Sequence, residues 1–146
     1  MIEVKGLNKS FNDHHVLQDI NATFHRGKVN IIIGQSGSGK TVLTKCMVGL
    51  FAPDSGTVEF EGRDFHSMSV TDKRELRQEI GMLFQAGALF DSMTVTENVV
   101  FPLAMFSEMG QDERNERARF CLDRVNLDKA GHLFPSELSG GMKKRV

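Results

Sequence analysis

Val29-Asn30-Ile31-Ile32-Ile33-Gly34-Gln35-Ser36-Gly37-Ser38-Gly39-Lys40-Thr41 is the stretch that decides the reading of this sequence. An apolar run of strand character gives way to a glycine-rich loop. A helical pattern follows through Leu43, Cys46, Met47 and Leu50. Strand, loop and helix with Gly-x-x-x-x-Gly-Lys-Thr at the junction form the phosphate-binding P-loop. Glycines let the backbone close around an anion so that successive N–H groups converge on it. The helix adds its unpaired N–H groups and the positive end of its dipole. Lys40 supplies a point charge for β- and γ-phosphates, and Thr41 a hydroxyl for Mg²⁺. Gly34 to Thr41, with Val42 behind them, are the expected cradle of a nucleoside triphosphate; the alternative is an ordinary Gly/Ser turn.

The remaining composition sets limits. The chain has 146 residues, 40% apolar and 25% charged, with a net charge of −1. One globular domain fits that length. The charge argues against a nucleic-acid binder held by bulk electrostatics. The longest apolar run, Val99 to Phe106, is interrupted by Pro102 and is far shorter than a membrane span. The N-terminus lacks signal-peptide architecture. Cys46 and Cys121 read as buried thiols of a cytosolic protein rather than a disulfide.

Working outward, Ile2 and Val4 alternate with Glu3 and Lys5, and Ile20, Ala22 and Phe24 mark a second strand. Asn12-Asp13-His14-His15 is turn chemistry between them. A helix over about 40–50 stops at Pro53-Asp54-Ser55-Gly56, and Thr57–Phe60 reads as a short strand. Residues 71–79 read as a charged helix, and 80–84 as a second buried strand. Thr94 and Glu97 have capping-box spacing ahead of a helix that Pro102 is expected to kink or end. Gln111 to Leu127 is amphipathic, with Ala118, Cys121, Leu122 and Val125 on one face. Ser139 caps a helix beginning at Gly140. The stretches 111–119 and 143–145 read as solvated charged faces.

Leu138-Ser139-Gly140-Gly141-Met142, about a hundred residues after the P-loop, resembles the signature motif of ABC-type ATPases. Gln85 resembles that family's Q-loop, and Phe11 its adenine-stacking aromatic. The stretches 83–103 and 135–146 look like the ATPases of Mla/Mce-type lipid transporters, which move phospholipids or related lipids between membranes. The resemblance covers the whole chain. It implies an α/β P-loop fold with an N-terminal antiparallel β subdomain, a parallel core sheet, incomplete here, and a helical signature subdomain. The division expected is 1–90 for the β subdomain and P-loop core, and 91–146 for the mainly helical part.

The same resemblance implies roles. Phe11 stacks on adenine, against the alternative of a core or edge aromatic. Lys40 and Gln85 act in catalysis, and Thr41 and Gln85 hold Mg²⁺; a plain loop amide is the other reading of Gln85. Ser139, Gly140 and Gly141 bind the γ-phosphate of ATP held by a second copy, against a plain Ser-capped helix. The partners implied are a second ATPase subunit, head to tail, and a membrane permease. Part of 90–106 would contact that permease. The chain would sit in the cytoplasm on the inner face of the plasma membrane. The alternatives are a non-hydrolysing nucleotide-binding module and a soluble, non-transport ABC protein.

Hydrolysis in this family also needs a Walker B Asp and Glu, followed by a switch histidine. The sequence reaches Val146 without them. Asp54, Asp91, His14, His15, His25, His66 and His132 are not placed to substitute. The expectation is therefore a truncated domain, hydrolytically inactive alone and prone to aggregate.

Overall fold

The computed structural model describes residues 1–84 and 87–146. The chain forms two compact units, Met1–Gly81 and Met82–Val146.

In the first unit, β1 (Ile2–Phe11) and β2 (His14–Phe24) form an antiparallel hairpin that turns at Asn12 and Asp13. Asn12 adopts φ 51° there, a conformation Asn tolerates well. Register pairs Val4 with Ala22 and Leu7 with Ile20, and it shifts between them. Side-chain amides replace lost ladder bonds at the irregularity. Gly6 N–H donates to Asn21 Oδ1 at 2.8 Å, and Asp19 N–H to Asn8 Oδ1 at 2.9 Å.

β3 (Ser55–Phe60) pairs antiparallel with the other edge of β1, and a turn at Glu61 and Gly62 leads into β4 (Arg63–Asp64). Both turn residues have positive φ, 50° and 80°, as a tight hairpin demands. The sheet order is β2-β1-β3-β4. α1 (Lys40–Met47) buries Leu43, Cys46 and Met47 with Val4, Leu7, Leu17 and Val58 of the sheet. α2 (Val70–Gln78) is capped by Ser69, whose Oγ accepts from Asp72 N–H, and buries only Leu76.

The α/β class holds, but the runs 29–33 and 80–84 do not form the expected buried strands. Among the described residues no regular strand pairs with either. Val29, Ile31 and Ile33 are 89%, 77% and 87% exposed, and Leu83 is 69% exposed. Of these runs, Ile32 and Ile80 pack against the first core. A strand exists only through its ladder, and an apolar run without one stays outside regular secondary structure.

In the second unit, α3 (Val95–Phe106) carries the expected capping box: Thr94 Oγ1 accepts from Glu97 N–H, and Thr94 N–H donates to Glu97 Oε2 at 2.7 Å. The helix continues through Pro102 to Phe106. The ring removes a single helical bond, to the Asn98 carbonyl, and packing on α4 (Gln111–Arg124) holds the element. Ala118 and Leu122 are buried on α4, while Cys121 is only half-buried. Two 3₁₀ turns, Asp128–Ala130 and Pro135–Glu137, lead to α5 (Gly140–Lys143). Val95, Leu122, Leu127, Ala130 and Leu138 form this unit's core.

Candidate nucleotide-binding site

The P-loop residues lie exposed between the apolar run 29–33 and α1, except for buried Gly39 and half-buried Lys40. Gly37 and Gly39 have φ of 81° and 87°, which most side chains would resist. Gly39 is doubly constrained, since a Cβ there would lie 2.9 Å from Leu17 Cδ2 and 3.0 Å from the Val16 carbonyl. The loop is therefore pressed against β2 at its last glycine. Ser38 N–H donates to the Gln35 carbonyl at 3.2 Å, closing the turn.

Gly39 is the N-cap of α1 and offers no side-chain cap, so the first-turn amides are left for an outside acceptor. No acidic residue occupies that turn. Lys40 Nζ reaches back over the loop and donates to the carbonyls of Gly34 at 2.9 Å and Gln35 at 2.6 Å. Thr41 is exposed, whereas Thr44 uses its hydroxyl on the Lys40 carbonyl at 2.9 Å. Val42 packs against the core behind the loop. A cation, uncapped amides and an absence of acid suit a polyanion; a hydroxyl beside them suits its metal.

Phe11 ends β1 with 40% of its surface exposed. Its ring meets Phe51 edge-on at 5.3 Å between centroids, and Lys9 Nζ lies 5.5 Å from its centroid. Asp54 is an ordinary structural carboxylate. It accepts from Lys9 Nζ at 2.8 Å and from Ser10 N–H at 2.6 Å. The Lys9 hydrogen bond first, then that from Ser10, holds its carboxyl below the usual aspartate value. Neither Phe51 nor this Asp54 anchor was legible as part of the site, because both depend on long-range pairing of β1 with the chain after α1.

Gln85 lies outside the described residues. Ser139 caps α5, accepting from Met142 N–H at 3.2 Å. Gly140 and Gly141 are exposed, with open space where a Cβ would stand. Leu138 is buried, so the motif is rooted in the second core while its small residues face outward. Phe11 and 34–42 thus belong to one unit, and Ser139–Gly141 to the other. Among the described residues no cluster of His, Cys, Asp and Glu could hold a metal ion by itself, and no helix is long and apolar enough to cross a membrane.

The family model described as "ABC transporter" matches residues 17–146. The chain belongs to the ABC transporter family, in its ATP-binding domain. It is 38% identical over 145 residues to the probable ribonucleotide transport ATP-binding protein mkl of Mycobacterium leprae, covering 99% of this chain and 42% of that protein. It is 37% identical over 146 residues to the intermembrane phospholipid transport system ATP-binding protein MlaF of Haemophilus influenzae, covering 100% of this chain and 55% of that one. The chain therefore spans about half the length of these relatives. The dimeric structure of MJ0796, a bacterial ABC transporter cassette, superposes with a TM-score of 0.89 at 29% identity, covering 99% of this chain and 66% of that chain.

Proposed function

We propose that this chain is the nucleotide-binding portion of an ATPase subunit that powers phospholipid or related lipid transport. The observation that carries the reading is the P-loop itself: Lys40 folded over Gly34 and Gln35 at the uncapped start of α1. Gly34, Gln35, Ser36, Gly37, Ser38, Gly39, Lys40, Thr41 and Val42 form the triphosphate cradle, and Phe11 stacks the adenine. Lys40 shifts from the loop carbonyls to phosphate oxygens, which are better acceptors for a charged donor. Thr41 and Gln85 hold Mg²⁺, which when bound neutralises charge on the phosphates.

Ser139, Gly140 and Gly141 serve a second copy's nucleotide in a head-to-tail homodimer. The dimeric state of MJ0796 supports that reading. We read 1–90 as β subdomain plus nucleotide core and 91–146 as signature subdomain. The subunit works in the cytoplasm against a membrane permease, and part of 90–106 meets that permease. The phospholipid assignment rests on the likeness to MlaF and on the resemblance of the stretches 83–103 and 135–146 to Mla/Mce-type ATPases.

We read residues 1–146 alone as binding nucleotide without turnover; among the described residues, Asp54 is committed to Lys9 and Ser10. The test is ATP hydrolysis by the full-length subunit with its permease in vesicles with and without phospholipid substrate. Stimulation by phospholipid is the expected result. Turnover indifferent to lipid would contradict the substrate assignment, and turnover by residues 1–146 alone would contradict the division of labour.

A further inference from the structure

Resting on the reading of Phe11 as the base-stacking residue, we propose that Phe51 is a positioning residue that holds Phe11 for the base and ties it to the phosphate-binding helix. Phe11 stands at a strand end and is exposed. Such a ring keeps rotamer freedom that base binding would have to remove, unless a neighbour fixes it beforehand. Phe51 supplies the neighbour. The centroids are 5.3 Å apart and the planes cross at 71°, the edge-to-face arrangement that ring quadrupoles favour.

Phe51 is itself anchored. Its N–H donates to the Lys45 carbonyl in the last turn of α1 at 3.2 Å, and its ring packs against the first core. Lys45 Nζ stands 5.2 Å from its centroid. On the strand side, Lys9 Nζ stands 5.5 Å from the Phe11 centroid and is itself fixed by Asp54. α1 begins at Lys40 and Thr41. One helix therefore carries the phosphate loop at its start and the anchor of the stacking ring at its end. The distance between the two is set by the helix rather than by a flexible loop. Read as sequence, Phe51 is one more apolar residue ahead of Pro53.

The test compares MgATP with inorganic tripolyphosphate, which offers phosphates without a base, on the full chain. Phe51→Ala is expected to weaken MgATP binding roughly three- to tenfold, the range of an aromatic pair, and to leave tripolyphosphate binding unchanged. Phe51→Trp restores MgATP binding. Phe51→Leu keeps the apolar volume and the fold, yet weakens MgATP in the same way. The chain contains no Trp, so Phe11→Trp introduces a single fluorophore that stacked adenine quenches. Adding Phe51→Ala to that variant is expected to reduce the quench at saturating MgATP. Equal loss for both ligands, or loss for neither, overturns the proposal. A Phe11→Ala variant that leaves the MgATP-to-tripolyphosphate ratio unchanged would instead overturn the base-stacking reading beneath it.

Discussion

Lys40 donates to two carbonyls of its own loop, an arrangement in which a full positive charge is met only by neutral acceptors. Under the proposed function, phosphate oxygens would improve on those partners, and that difference would be the binding energy the residue supplies. Lys40→Ala is expected to weaken MgATP binding by about ten- to a hundredfold, the range of a hydrogen bond to a charged group, with little change in melting temperature. A nucleotide titration beside a thermal melt checks both. Asp54 makes a different prediction. Its folded pKa is depressed by Lys9 and the Ser10 amide. The stability it contributes is complete above the unfolded value near 3.9 and is lost as pH falls through the lower folded value. Asp54→Asn should therefore lower stability at neutral pH and flatten the acid limb of a stability–pH curve below about pH 4.

At the scale of elements, α1 ends as firmly as it begins. Leu50 N–H donates to the Lys45 carbonyl at 2.8 Å and Gly49 N–H to Cys46, with Gly49 at φ 72°. This is a Schellman ending. A Cβ at Gly49 would run into the buried Phe65 ring. Gly49→Ala is expected to cost about 2–4 kcal/mol by denaturant unfolding, from the backbone conformation and the collision together. In the second unit, Asn98 accepts from Phe90 N–H at 2.8 Å, and its amide lies within hydrogen-bonding distance of the Phe90, Met93 and Thr94 carbonyls. Asn98→Ala should cost about 1–3 kcal/mol and release the 90–94 loop, which hydrogen exchange would report.

These elements also show what a sequence can carry. The hairpin, the Thr94–Glu97 box and the Ser139 cap were legible because turn and cap chemistry is local. The runs 29–33 and 80–84 look like strands, yet whether they become strands depends on partners elsewhere in the chain. Pro102, expected to kink or end its helix, does not end it: one missing bond is tolerated in a helix that packs on α4. At the site, the P-loop and the signature were readable as motifs. The contacts of Phe51 with Phe11 and of Asp54 with Ser10 were not, since nothing in local spacing pairs residue 11 with residue 51 or residue 10 with residue 54.

For the molecule as a whole, Val29, Ile31 and Ile33 are exposed apolar residues outside regular secondary structure. An exposed apolar run of strand character invites pairing with another copy. Purified as residues 1–146, the chain is expected to self-associate, and Ile31→Lys should shift it toward monomer in size-exclusion chromatography. The proposed function requires that the loop at the head of α1 bind the triphosphate of MgATP. Isothermal titration of MgATP into the wild-type chain and into Lys40→Ala measures that binding. Saturable binding at one site per chain, lost or severely weakened in Lys40→Ala while the far-UV circular dichroism is unchanged, is the predicted result. Undiminished binding by a folded Lys40→Ala variant, or no binding by folded wild-type chain, would contradict it.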